Sequence, residues 1–212
     1  RTALPLAESC LRTAAHYVDV TGEIQVFEAL HALNGRASAA GIMLLPGAGF
    51  DVVPTDLLAA HLKRRLPSAT QLRLAFYARG GSISRGTLTT MIENIDRGGA
   101  VRRAGRIVRV PAGWRTREID FGFGTRPQRA TTIPWGDVAT AYYSTGIPDI
   151  EVYARSTRTQ RTVLRASRFA AGLLGTRTIQ RALKGWVRAR VTGPDAARRE
   201  RARSLVWGEA QD

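Results

Sequence analysis

His16-Tyr17-Val18-Asp19-Val20-Thr21-Gly22-Glu23, then a helix-like segment, then Gly41-Ile42-Met43-Leu44-Leu45-Pro46-Gly47-Ala48-Gly49-Phe50-Asp51-Val52-Val53-Pro54-Thr55-Asp56: this stretch decides the fold. Val18 and Val20 lie in a β-prone run that ends at a Thr-Gly turn. Ile42 to Leu45 is short and wholly apolar, the pattern of a strand buried on both faces of a parallel sheet. Between the two runs Ile24, Phe27, Leu30 and Ala37 recur near helical spacing, and the pattern stops before Gly41. Parallel neighbours need a crossover of about a dozen residues or more. The segment supplies one, so the stretch predicts a right-handed βαβ unit.

In such sheets ligands sit beyond the carboxyl ends of the strands. Two loops leave those ends, Asp19 to Glu23 and Pro46 to Asp56. The second is glycine-rich and opens a helix with Pro54 early and Asp56 in the first turn. Glycine lets backbone approach a ligand closely, and a helix N-terminus offers free N–H groups. The same loops also serve as tight turns feeding helices. On shape alone both readings stand.

After Pro67 the pattern changes. Leu72, Leu74 and Phe76 alternate with Gln71, Arg73 and Ala75, a strand with one buried face. Leu88, Met91, Ile92 and Ile95 mark an amphipathic helix closed by Gly98-Gly99. Arg85-Gly86-Thr87 at its start either meets an anion or is a solvated arginine beside a threonine cap. Short strands are expected near Ile107–Val110 and Glu118–Phe123, with Gly122 and Gly124 on one side of the second. Trp135-Gly136-Asp137 begins a short helix, with Asp137 as its cap and Tyr142 and Tyr143 inside it. Ile150, Val152 and Ala154 mark another strand. Two basic amphipathic helices follow. In the first, Val163, Ala166, Ala170, Leu173 and Leu174 oppose Arg161, Arg165 and Arg168. In the second, Ile179, Leu183, Trp186 and Val187 oppose Arg177, Arg181, Lys184 and Arg188. They either pack on the fold, which is the preferred reading, or lie on an anionic membrane. A last strand runs through Leu205-Val206-Trp207.

The fold class is therefore α/β. A partial Rossmann-like parallel sheet (1–66) is followed by an α+β domain (67–156), then a helical segment returning to a strand (157–212). An apolar fraction of 44% is that of a globular protein. No apolar run approaches the ~20 residues of a membrane span. The single Cys10 makes no internal disulfide, which suits a reducing cytoplasm. The net charge of +15 raises nucleic acid or anionic lipid as partners. Apart from Lys63 and Lys184 the basic residues are all arginine, and they are scattered. With no nucleic-acid-binding signature present, nucleic acid is not the expected partner. His16, His31 and His61 have no companions at metal-ligand spacing, so no metal is expected.

Five segments in order carry a family resemblance: His16–Glu23; Gly49–Asp56; Gly86-Thr87 with Glu93-Asn94; Ile133–Asp137 through Ser144–Pro148; and Gly193-Pro194 through Val206–Glu209. Together they resemble the saccharopine dehydrogenase-like oxidoreductases, in particular the branch that includes trans-acting enoyl reductases. The resemblance implies an NADP or NAD cofactor and hydride transfer, for which the protein orients the nicotinamide and excludes water. It implies a cofactor shelf at Asp19, Thr21, Gly22, Glu23, Gly47, Gly49, Phe50 and Asp51. Substrate would meet Pro54, Asp56, Arg85, Gly86, Thr87 and Trp135, with Tyr142 or Tyr143 as proton donor. An acyl or polyketide-like lipid is the expected small-molecule substrate, ahead of an amino-acid adduct. The second domain would hold the substrate and pair subunits into a homodimer.

One part of the family pattern is missing. No G-x-G-x-x-G follows a strand, and Gly47-Ala48-Gly49 lacks the third glycine. The chain thus reads as the middle of a longer enzyme, and this piece alone is expected to bind NAD(P) poorly and to be inactive. The competing reading is a non-catalytic or anionic-membrane-associated module on the same scaffold.

Overall fold

The computed structural model describes residues 2–80, 86, 88, 89, 92, 98–174, 176–190 and 200–212. The first part runs α1 (Ala3–Thr13), β1 (Tyr17–Val18), α2 (Ile24–His31), α3 (Asn34–Ala39), β2 (Leu44–Leu45) and α4 (Val53–Arg65). β1 and β2 are parallel neighbours, with Tyr17 opposite Leu44 and Val18 opposite Leu45. Ala7, Tyr17 and Leu30 form a small core beneath them.

Details differ from the expectation. The helical segment is two helices, broken at Ala32-Leu33. The strands are not buried on both faces either. Tyr17 is buried, but Val18 and Leu45 are exposed, because only one face meets α1 and α2. α4 begins as expected, with Pro54 at its start and Asp56 in the first turn; Lys63, Arg64 and Arg65 fill its last. That charge order suits the helix dipole.

Among the described residues the second part is a seven-stranded sheet. Its strands are β3 (Gln71–Arg79), β4 (Gly99–Arg103), β5 (Arg106–Val110), β6 (Thr116–Ile119), β7 (Gln128–Thr132), β8 (Asp149–Arg155) and β9 (Arg203–Gln211). The main order is β5-β4-β8-β3-β9, with β7 also pairing β8 and β6 pairing β7. β3 and β8 are parallel from Gln71↔Asp149 to Phe76↔Ala154. β9 runs antiparallel to β3 over its whole length, so the last strand of the chain completes the sheet. Between β7 and β8 lies α5 (Asp137–Thr145), closed by left-handed Gly146.

Both faces of this sheet are covered. Leu72, Leu74, Ile150 and Val152 pack against Ala59 of α4 and Val138 and Ala141 of α5. On the other face Ala75, Tyr153, Ile119, Phe121 and Ala130 cluster with Tyr77, Leu205 and Trp207. Ala75, expected on a polar face, is therefore buried. β4 and β7 carry no clean apolar alternation and were not expected. Gly98 takes a left-handed φ of 72°, but Gly99 opens β4 rather than ending a helix. Of the expected helix before it, Gly86, Leu88, Thr89 and Ile92 are helical, while Met91 and Ile95 lie outside the described residues. The strand expected to reach Phe123 stops at Ile119; Gly122 and Gly124 are left-handed turn residues facing open space, not glycines on one side of a strand.

The basic helices are α6 (Arg158–Leu174) and α7 (Arg177–Arg190). A capping box starts α6. Gln160 N–H donates to Thr157 Oγ1 at 3.1 Å, and Thr157 N–H donates to Gln160 Oε1 at 2.8 Å. Leu164 lies against Gly113, and Ser167 and Val187 are buried. Val163, Phe169 and Trp186 are exposed, so the preferred packing of both apolar faces holds only in part. Among the described residues no helix is long and apolar enough to cross a membrane.

Candidate functional site

The exits of β1 and β2 are laced together by one side chain. Asp19 Oδ1 accepts the N–H groups of Thr21 and Gly47, each at 3.0 Å. Its Oδ2 accepts the Tyr17 hydroxyl, and its carbonyl accepts Ala48 N–H at 2.8 Å. Burial, and then Asp19, push the Tyr17 hydroxyl pKa up, so that proton stays on the tyrosine. Asp19, expected at the cofactor, thus orders the two loops against each other. In the first loop the Thr21 hydroxyl donates to Glu23. Gly22 faces Asp51, whose oxygen would lie 3.6 Å from an added Cβ. Desolvation first, and the Glu23 charge second, raise the Asp51 carboxyl above its ordinary range.

The glycines of the second loop have a packing reason. Gly47 is left-handed (φ 75°), and a Cβ there would sit 2.7 Å from the Phe27 ring. A Cβ on Gly136 would meet the same ring at 2.8 Å. Phe27 is therefore wedged between the β2 exit and the start of α5. Trp135 Nε1 donates to Asp51 O at 2.6 Å, and its ring packs on Phe76 at 4.8 Å. Trp135 bolts the loop to the large sheet. Phe50 is exposed.

Beside these loops opens a cleft of about 360 Å³. Phe27, Leu30, Leu45, Pro46 and Val52 give it an apolar wall; His31, Asp56, Thr140, Tyr143 and Ser144 give it a polar one. The cleft thus takes residues from α2, the β2 loop, α4 and α5. Ser144 Oγ donates to Asp56 Oδ2 at 2.7 Å. Asp56 Oδ1 and Thr140 Oγ1 are buried there without a partner among the described residues. Such orphaned atoms are uncommon and call for an explanation. A ligand that both donates and accepts is one.

The two candidate tyrosines separate. Tyr143 lines the cleft and stacks on His31, ring centres 3.7 Å apart. Its hydroxyl donates to Glu28 Oε1 at 2.8 Å, and the same oxygen accepts Arg102 Nη2 at 2.9 Å. Burial and then Glu28 push the Tyr143 hydroxyl up to about 12. Tyr142 lies under the Arg102 guanidinium, 4.2 Å from its ring centre, with its hydroxyl against Gly105. It does not line the cleft.

Sequence reasoning passed over Asp137 as a cap. The cap is Gly136; Asp137 is the first helical residue and fully buried. Among the described residues neither carboxylate oxygen has a hydrogen-bond partner within ordinary geometry; the nearby Thr55 hydroxyl bonds to Val52 O. Burial pushes Asp137 up to about 7; the neighbouring Thr55 hydroxyl and the residue's own backbone N–H oppose the rise, and the charges of Asp56 and Asp51 add to it. Asp137, Thr140 and Ser144 share one helical stripe by their i, i+3, i+7 spacing. That polar stripe in an apolar helix was the available signal.

Other expected residues fall elsewhere. Arg85 and Thr87 lie outside the described residues, and Gly86 is exposed in a helical turn. Among the described residues no group of three His, Cys, Asp or Glu is placed to hold a metal ion. A smaller cleft of about 170 Å³ lies at the start of β3 and β8. There the buried Glu151 accepts Arg103, Arg115 at 3.0 Å and the Tyr153 hydroxyl, so its arginines are already engaged.

No family model matches the chain. It is 37% identical over 67 residues to the trans-acting enoyl reductase of Mycobacterium leprae (strain TN), and 33% identical over 66 residues to that of Mycobacterium ulcerans (strain Agy99). Each match spans 31% of this chain and 16% of the relative. Among solved structures, it is similar to apo histidine-tagged saccharopine dehydrogenase (L-Glu forming) from Saccharomyces cerevisiae, with a TM-score of 0.50 and 12% identity. That match covers 93% of this chain and 52% of the other, and at this identity it speaks for the fold alone. Fold over most of the chain and sequence over a third of it thus bear out the resemblance to the saccharopine dehydrogenase-like family and its enoyl-reductase branch.

Proposed function

We propose that this chain is part of an NAD(P)-dependent oxidoreductase that reduces an acyl or polyketide-like lipid. One observation carries the reading. The parallel strands β1 and β2 end in loops tied together by Asp19, and beside them lies a cleft walled on its far side by α5 of the large sheet. That is where an open α/β sheet holds a ligand. Its size falls within the range of small-molecule sites.

The residues fit the nicotinamide end of a dinucleotide. The apolar wall suits a flat ring, and Asp56 Oδ1 and Thr140 Oγ1 are unpaired groups suited to its carboxamide. Thr21, Gly22 and Gly47 to Asp51 would edge it. When bound, the nicotinamide supplies hydride chemistry. The chain's own residues orient the reactants, exclude water and hold protons. Tyr143 holds one at its hydroxyl oxygen, in line with Glu28 and Arg102. It is preferred to Tyr142 as the donor that completes reduction. The enoyl-reductase names of the sequence relatives support an unsaturated acyl substrate over an amino-acid adduct.

The test is calorimetric titration of the full-length protein with NADPH and with NADH. Saturable binding of either, weakened by Thr140→Val, is the expected result. Absence of affinity for both defeats the reading.

A further inference from the structure

We infer that α6 and α7 form a docking surface for an anionic lipid bilayer. Phe169 is 95% exposed, Val163 61% and Trp186 60%. These are large apolar side chains on helices otherwise anchored by Leu164, Ser167 and Val187. Between residues 158 and 190 the sequence carries nine arginines and lysines and no acidic residue. Arg158, Arg165, Arg181 and Arg190 are exposed. A helix with bulky apolar residues beside a dense positive stripe lies in the plane of a membrane interface rather than across it. Tryptophan is favoured at that depth.

Charge chooses the occupant. A second copy of the chain meeting this face by two-fold symmetry would bring the exposed Arg158, Arg165, Arg181 and Arg190 of both copies together. An anionic headgroup layer neutralises them, and each arginine near such a surface adds to the attraction. The inference does not depend on cofactor binding, since it concerns a face remote in sequence from the β1 and β2 loops.

Vesicle flotation of the full-length protein tests it. The protein is expected to float with vesicles of phosphatidylcholine mixed with phosphatidylglycerol at low salt, and to stay behind with phosphatidylcholine alone. Arg165→Glu with Arg181→Glu is expected to lower the partition about tenfold or more. Phe169→Ser with Trp186→Ser is expected to lower it too, with the circular dichroism spectrum unchanged. Trp186 emission, isolated by difference from Trp186→Phe, is expected to shift blue on the anionic vesicles. Equal binding to neutral vesicles, or no binding to anionic ones at low salt, overturns the inference. So does a serine double variant that keeps vesicle binding but loses self-association, which would make the face a protein contact.

Discussion

Replacing Asp137 by asparagine is expected to stabilise the protein at alkaline pH and to flatten its pH dependence. The carboxyl is fully buried, no described group makes a well-formed hydrogen bond to either oxygen, and burial raises its pKa from 3.8 to about 7 against the opposing pull of the Thr55 hydroxyl and its own N–H. A raised carboxyl pKa means the folded state holds a proton that the unfolded chain releases. Stability therefore falls as pH rises from about 4 to about 7, then levels off. A difference of one pKa unit between the two states corresponds to about 1.4 kcal/mol. Between pH ~5 and ~8 the group then costs the folded state about 3 kcal/mol. An asparagine side chain cannot ionise, and its amide has nearly the shape of the protonated acid. Other titrating groups are common to both proteins, so the difference between them isolates this carboxyl. Guanidinium unfolding at pH ~5 and ~8 measures it. The expected outcome is that Asp137→Asn gains about 3 kcal/mol on the wild type between the two pH values. Parallel pH dependence in the two proteins would refute the reasoning, because Asp137 would then be ionised or solvated alike in both states.

Glu151→Gln is expected to lower unfolding free energy by about 1–3 kcal/mol, since the neutral amide weakens the charge-assisted bonds from Arg103 and Arg115 and the bond from the Tyr153 hydroxyl; thermal and denaturant unfolding read this directly. Phe27→Ala removes the wedge between Gly47 and Gly136 and is expected to cost about 3–5 kcal/mol. Hydrogen exchange should then rise first at Gly47 and Ala48. In the full-length enzyme, Tyr143→Phe is expected to lower turnover about 100-fold with cofactor affinity kept. Tyr142→Phe keeps its ring under Arg102 and is expected to change turnover little. Equal losses in the two variants would argue against a proton held at Tyr143.

What was legible in the sequence was periodic and local. Val18 and Leu44 announced parallel strands because their neighbours were apolar and a helix-length crossover separated them. Pro54 and Asp56 announced α4 because helix starts have their own chemistry. Leu72, Leu74, Ile150 and Val152 announced one sheet face, and Ala75 and Tyr153 hid the other because small or polar-tipped residues look like surface. Gln128 to Thr132 was missed as a strand, for its threonines are buried by partners that no local pattern reveals. Arg102 was missed for a deeper reason. It is buried because Val138 O, Gly105 O and Glu28 satisfy its guanidinium. Two of those three partners are distant in sequence, so nothing local marked the residue.

The site was legible as loops and not as a cleft. Asp19, Gly47 and Asp56 were found because strand exits and helix starts are readable. Their roles were not, because Asp19 spends Oδ1 on two backbone N–H groups and Oδ2 on the Tyr17 hydroxyl, and Gly47 lies against the Phe27 ring. Trp135 ties the second loop to the large sheet through its bond to Asp51 O, a contact 84 residues apart that no local pattern announces. The α5 stripe of Asp137, Thr140 and Ser144 needed the packing of α5 on α4 to acquire meaning.

A crystal structure of the full-length protein with bound NADP or NAD bears most directly on the shelf at the β1 and β2 exits. The nicotinamide ring is expected in the cleft between Gly47 and α5, with its carboxamide within hydrogen-bond reach of Asp56 or Thr140. A ring bound elsewhere, with this cleft filled only by solvent, would contradict the assignment.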